Sequence, residues 1–151
     1  MQEIELKIMP VPHEGVGTTL PEKATGGSAG LDLRAAVAQS VTLAPRGAAR
    51  LPTGIAVGLP SGYVGLVFAR SGLAIRHGIA LSNGVGVIDS DYTGEIIVGL
   101  CNLSDEPYII EPCERIAQLL VMPVASVRPV TVRVLDQTER AQGGFGSTGK
   151  F

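Results

Sequence analysis

The chain has 151 residues, of which 45% are hydrophobic and 17% charged. That is long enough for one domain whose core needs no staples, and apolar enough to leave surface for contact with copies of itself. A net charge of −2 argues against a nucleic-acid polymer as partner, but not against one small anion held in a focused site. No apolar run approaches a membrane span, and no basic segment followed by an apolar run marks a signal peptide, so the expectation is a cytoplasmic protein without membrane contact. The two cysteines, Cys101 and Cys113, lack C-x-x-C spacing and read as buried free thiols of a reducing compartment. Glycine and proline punctuate the chain at intervals of about eight to twelve residues, the rhythm of an all-β sandwich or barrel.

The first apolar run is Ile4–Ile8. The next, "AGLDLRAA" (Ala29–Ala36), alternates: Leu31, Leu33 and Ala35 take one strand face, Asp32, Arg34 and Ala36 the other. A polar pair on one face is most often solvated surface, but the preceding "GGSAG" leaves room for a ligand. Strands are expected at Val41–Leu43, Ile55–Leu59 and Tyr63–Phe68. "ARSGL" (Ala69–Leu73) then joins an arginine, a hydroxyl and a glycine. The guanidinium can grip phosphate as a fork, and the turn can offer backbone N–H groups, although such turns are structural in most proteins. Ala69–Arg76 is the one candidate for a short helix, and Ile79–Leu81 is the next strand.

"SNGVGVIDSDYTGEI" (Ser82–Ile96) reads as a hairpin whose two β-like halves flank Asp89–Gly94. Turns rich in Asx residues are common. Here, however, Asp89 follows Val87-Ile88 directly, and a carboxylate beside apolar walls can serve as general base. Tyr92 offers a flat face for stacking. Strands follow at Ile96–Leu100 and Tyr108–Ile110. In "ERIAQLLV" (Glu114–Val121) the run Ile116–Val121 is ambiguous between helix and strand, and the Met-Pro-Val after it favours strand. Its Arg115 reads as a surface residue and its Gln118 as a satisfied buried amide. A last strand is expected at Thr131–Leu135.

From Gln137 hydrophobic periodicity ends, and residues 137–151 read as a flexible arm. Its "GGFGSTGK" satisfies G-x-G-x-x-G from Gly144 and also begins a Walker loop. Both motifs need a strand before the glycines and a helix after them, and the Walker hydroxyl position holds Phe151. Such composition is usually disordered. Yet Arg140, Phe145 and free backbone amides suit a lid that orders over a phosphate ligand bearing an aromatic base.

Taken together, AGLDLRA, RSGL, NGVGVIDSDYTGEI, ERIAQLL and RAQGGFGSTG, in this order and spacing, resemble the five motifs of trimeric dUTPases, from about Ser28 to Gly149. The resemblance implies a jelly-roll-like β-sandwich or distorted barrel over residues 1–136. The Gly-rich arm, residues 137–151, would close over a site of a neighbouring subunit in a homotrimer, with each site assembled from three chains. The implied reaction is dUTP plus water to dUMP plus pyrophosphate, which keeps uracil out of DNA and supplies dUMP for thymidylate synthesis.

Asp89 would be the base. Arg70, Ser71 and Gly72 would bind phosphate oxygens, with Gln118 near the α-phosphate. Arg140, Ser147 and Thr148 would clamp the terminal phosphate beside Gly146, and Phe145 would stack over uracil. The pairing edge of uracil would meet Asn83 and backbone near Ile97, within a hairpin that includes Gly86, Val87 and Ile88. Tyr92 would lie flat on the deoxyribose. Mg²⁺ would ride on the triphosphate, held by Asp32 through water. Two alternatives carry the same fold: a dCTP deaminase, and a non-catalytic nucleotide-binding module. "VIDSDY" and the complete glycine tail favour the diphosphatase over the first; intact Asp89, Asp32 and Arg140 favour it over the second.

Overall fold

The computed structural model describes residues 3–144. Ten strands and one helix follow one another: β1 (Lys7–Pro10), β2 (Leu31–Arg34), β3 (Val41–Leu43), β4 (Ala48–Gly58), β5 (Tyr63–Ala69), α1 (Ser71–His77), β6 (Ile79–Leu81), β7 (Gly86–Ile88), β8 (Glu95–Asn102), β9 (Tyr108–Ile110) and β10 (Arg115–Pro123). Two four-stranded antiparallel sheets, ordered β1-β4-β8-β6 and β2-β10-β5-β7, form the sandwich, and β3 pairs with β9 at its side. This is the all-β sandwich that the punctuated pattern predicts, in the jelly-roll-like form that the resemblance implies.

Alternation builds the core. On β8, Ile96, Val98, Leu100 and Asn102 are buried while Ile97 is exposed. They meet Leu33, Leu51, Ile55, Val67, Ile116 and Leu119. A fully buried Leu or Ile stabilises the fold by roughly 1.5–3 kcal/mol. Asn102 is the buried polar exception, and its amide is satisfied: Nδ2 donates to the carbonyls of Leu43 and Glu106, and Oδ1 accepts from Ser104. The helix is a short one as expected, and it stops at Gly78, whose φ of +67° is left-handed.

Four expectations are corrected. β4 starts at Ala48, well before Ile55; Pro52 hides its first half, and a bulge at Gly54 (φ +70°) shifts the register between Pro52 and Ala56. Thr131–Leu135 forms no strand: Val132, Val134 and Leu135 are exposed, and none of the described edges of this chain pairs with them. Cys113 is exposed and Cys101 partly so rather than buried, and both are free; Cys113 sits in a turn with φ +61°. Finally, β7 and β8 are not a hairpin. β7 pairs only with β5 and β8 with β4 and β6, so the two halves of "SNGVGVIDSDYTGEI" belong to different sheets.

Candidate functional site

The first cleft lies on the outer face of β2, β10 and β5. Cross-strand register places Gln118 opposite both Asp32 and Phe68, while Leu33, Ala117, Leu119 and Val67 turn into the core. The cavity measures about 630 Å³, and its lining includes Ser28, Gly30, Asp32, Arg70, Ser71, Gly72 and Gln118. Arg70 ends β5, and Ser71 and Gly72 open α1, so one strand-to-helix turn brings all three here. The Gln118 amide donates to the Ala69 carbonyl at 3.0 Å. A side chain at Gly30 would stand 2.9 Å from Gln118 Oε1, so glycine at this position keeps the cleft open.

Asp32 is the electrostatic centre of this cleft. Its Oδ1 lies 3.1 Å from Arg70 Nε and its Oδ2 3.0 Å from Arg115 Nη1. Arg70 also donates to the Arg115 carbonyl at 3.2 Å. Two guanidiniums face one carboxylate, which leaves the cleft positive and suited to an anion.

Arg115, read from sequence as a surface residue, belongs to this group. A register shift between Arg115 and Ala117 buries Ile116 and Ala117 consecutively and turns Arg115 to the side of Asp32. Strict alternation would have sent it into the core. The adjacent apolar pair Ile116-Ala117 was the signal available in the sequence. Behind Arg70, the Tyr108 hydroxyl donates to Glu114 Oε1 at 2.6 Å. Burial, reinforced by Glu114, pushes that phenol up to about 12.

The second cleft opens where β7 and β8 part. It measures about 190 Å³ and is lined by Asn83, the β7 residues Gly86, Val87 and Ile88, and β8 from Ile96 to Gly99. Along a strand, backbone groups point alternately to its two edges. The Ile96 carbonyl accepts from Thr53 on the β4 side. Ile97 therefore points its N–H and C=O the other way, at the edge left bare beyond Gly99, whose carbonyl still accepts from the Ser82 amide at 2.9 Å. The cleft is thus walled by a strand edge with free donors and acceptors.

Beyond β7, Asp89 is exposed and its carbonyl accepts from the Tyr92 amide at 3.1 Å. The apolar walls expected around it are absent within one chain, because β7 is an edge strand. Tyr92 is 44% exposed, and its hydroxyl donates to the Glu95 carbonyl at 2.8 Å. The ring lies against Gly94, where an added Cβ would come within 2.6 Å of the phenol oxygen.

The structure thus gathers Asp32, Arg70, Ser71, Gly72 and Gln118 in one cleft and Asn83, Gly86, Val87, Ile88 and Ile97 in the other. Arg140 lines neither; it is exposed, with Nε donating to the Gly143 carbonyl at 2.9 Å. Phe145, Gly146, Ser147 and Thr148 lie outside the described residues.

An antiparallel sandwich with a cleft where two arginines meet Asp32 on its outer face, and a bare strand edge across β5 from it, is suited to a small polar anion. The family model for dUTPase matches residues 17–149, and the chain belongs to the dUTPase family. It is 47% identical to the deoxyuridine 5'-triphosphate nucleotidohydrolase of Desulfitobacterium hafniense (strain DSM 10664 / DCB-2), over 99% of both chains. Identity to that of Nitrosospira multiformis is also 47%, again over 99% of each. A solved dUTPase of Staphylococcus bacteriophage 80alpha, with dUPNHPP, superposes with a TM-score of 0.84 at 28% identity, covering 96% of this chain and 98% of that one.

Proposed function

We propose that this chain hydrolyses dUTP to dUMP and pyrophosphate at sites shared between copies in a homotrimer. The observation that carries the reading is the bare edge of β8 at Ile97 facing β7 across a narrow cleft. Uracil presents acceptor, donor, acceptor along its pairing edge, and main-chain groups with the Asn83 amide match that pattern. Cytosine changes the pattern and strands buried groups, at a cost of roughly 1–3 kcal/mol each. A 5-methyl group is excluded by the closeness of the two strands.

Tyr92 stacks on the deoxyribose and leaves no space for a 2′-hydroxyl. Arg70, Ser71 and Gly72 take phosphate oxygens, with Gln118 near the α-phosphate and Arg115 beside Asp32. Asp89 orients a water and takes its proton as the oxygen attacks the α-phosphorus, and pyrophosphate leaves opposite. In the arm, Arg140, Ser147 and Thr148 clamp the terminal phosphate with the Gly146 backbone, and Phe145 covers the base.

Among the described residues no cluster of three or more His, Cys, Asp or Glu could cage a metal ion. Asp32 alone, with its oxygens shared by two arginines, fits an ion that keeps most of its water and is gripped mainly by the nucleotide. When bound, Mg²⁺ of that kind would supply charge neutralisation for the leaving pyrophosphate.

Sharing between copies is supported by β5. Val67 lines the base cleft and Phe68 the phosphate cleft, and neighbouring side chains of a strand point to opposite faces. In this reading one copy supplies the base cleft and Asp89, a second the phosphate cleft, and the arm of a third closes the site. The domain division is then a sandwich, 1–136, and an arm, 137–151. No described helix is long and apolar enough to cross a membrane, and a cytoplasmic setting suits the nucleotide substrate and the two free thiols. The test is product release from dUTP and dCTP. Pyrophosphate from dUTP without ammonia from dCTP is expected. Ammonia from dCTP would mean a deaminase, and no product from either a binding module.

A further inference from the structure

Glu95 joins three elements around the Tyr92 ring. Its side chain is only 16% exposed, and Oε1 accepts from the Gly54 amide at 2.7 Å and meets His13 Nε2 at 2.8 Å. The carbonyl of the same residue accepts the Tyr92 hydroxyl at 2.8 Å. Gly54 is the left-handed bulge residue of β4, where the register with β8 slips between Pro52 and Ala56. One step further, Thr53 holds the Ile96 carbonyl at 2.7 Å. Gly94 lets the ring lie down, since any side chain there would collide with it.

We infer that Glu95 is a positioning residue for sugar selection. Its carboxylate ties the start of β8 to the β4 bulge and to His13, and so fixes the carbonyl on which Tyr92 rests. Tyr92 then has one ring orientation rather than several, and only a fixed ring can refuse a 2′-hydroxyl. An aromatic wall that swings by an ångström admits the extra oxygen, because discrimination of this kind depends on a held geometry. The N-terminal segment enters the same assembly through His13. Glu95 lines neither cleft, and its hydrogen bonds go to His13, Gly54 and Tyr92, so its effect falls on the choice between dUTP and UTP. The inference rests on the reading of Tyr92 as the sugar wall.

The experiment measures the ratio of kcat/KM for dUTP to that for UTP in the full-length chain. Glu95→Ala is expected to lower the ratio about tenfold, the scale of one lost hydrogen bond. Tyr92→Phe keeps the ring but cuts its tether, and is expected to lower it by a similar factor. The double variant should be no worse than either alone, because both break the same chain of contacts. Glu95→Gln keeps an acceptor for Gly54 and should restore most of the ratio. Should Glu95→Ala fail to fold, His13→Ala removes one partner from a more exposed position, with an expected drop of about threefold.

Tyr92→Ala is measured alongside as the check on the wall itself. If it leaves the ratio unchanged, the sugar-wall reading is wrong and the inference falls with it. If it lowers the ratio while Glu95→Ala, or His13→Ala in its place, does not, Tyr92 keeps its role and the positioning role is overturned alone. Additive losses in the double variant would overturn it as well.

Discussion

Asp32 meets Arg70 and Arg115 at 3.1 and 3.0 Å, and removing either guanidinium changes what the carboxylate does to the other. Arg115→Ala is expected to raise KM for dUTP several-fold with a smaller change in kcat. It takes away positive charge and lets Asp32 draw Arg70 aside. Steady-state kinetics check this, and an unchanged KM would place Arg115 outside the site. Asp89→Asn preserves shape but cannot accept a proton. Turnover should fall about 10²–10⁴-fold while dUTP still binds, as read by single-turnover rates and calorimetry. An Asn variant with near-normal turnover would remove Asp89 from the role of base. Tyr108, with its phenol pushed up to about 12 by burial and by Glu114, binds its proton more tightly folded than unfolded. Its contribution to stability is full below about pH 10 and is lost as pH rises through about 12. Chemical denaturation across that window should show a shallower loss for Tyr108→Phe than for the parent chain. At this scale Asp32, Arg70 and Gln118 read locally as surface, turn and buried amide; only the order and spacing of the motifs singled them out, and the structure brings the three into one cleft. Arg115 was read as surface, because a bulge decides which face it takes and only the adjacent apolar pair Ile116-Ala117 hints at that bulge.

The separation of β7 from β8 turns a local motif into a cleft. A closed hairpin would have spent the main-chain groups of Ile97 on β7. Drawn into different sheets, the strands leave that edge free, at the place proposed for uracil. Tyr92→Ala should therefore reduce the preference for dUTP over UTP, by opening the wall beside the cleft, and leave uracil over cytosine selection intact because the edge itself is untouched. Competition assays with dUTP, UTP and dCTP separate the two effects; equal loss of both would mean that Tyr92 holds the strands apart. The same elements mark how far the sequence pattern reaches. Short β-rich runs at Val41–Leu43, Ile79–Leu81 and Tyr108–Ile110 fall where expected, since flanking Gly, Pro and Asp bound them. The hairpin reading of Ser82–Ile96 failed because pairing is a long-range choice that two adjacent β-like halves do not encode. Pro52 hid half of β4 for a local reason: it lacks the N–H of a ladder, yet the sheet tolerates it opposite Ile97, whose own groups turn away.

At the scale of the whole molecule, two features point beyond a single copy. The base cleft and the phosphate cleft share no lining residue and lie to either side of β5. The stretch after β10 carries Val127, Val134 and Leu135 at about 80% exposure, apolar surface that an isolated chain gains nothing by showing to water. Deleting residues 138–151 should leave a folded sandwich with almost no activity, because core periodicity ends before the deletion. Asp89→Asn should be equally inactive for an unrelated reason. If the Asp89 and the arm of one site come from different chains, these two dead proteins repair each other. Around a mixed three-fold ring, one site always pairs the Asp89 of a truncated chain with the arm of an Asn chain. Random refolding of equal amounts makes about three-quarters of the trimers mixed, each with one working site in three, so activity should return to about one quarter of that of the parent. Mass spectrometry of the refolded trimers verifies the mixing. Activity that stays at the level of the separate variants, with mixing verified, would mean that each site takes its Asp89 and its arm from the same chain.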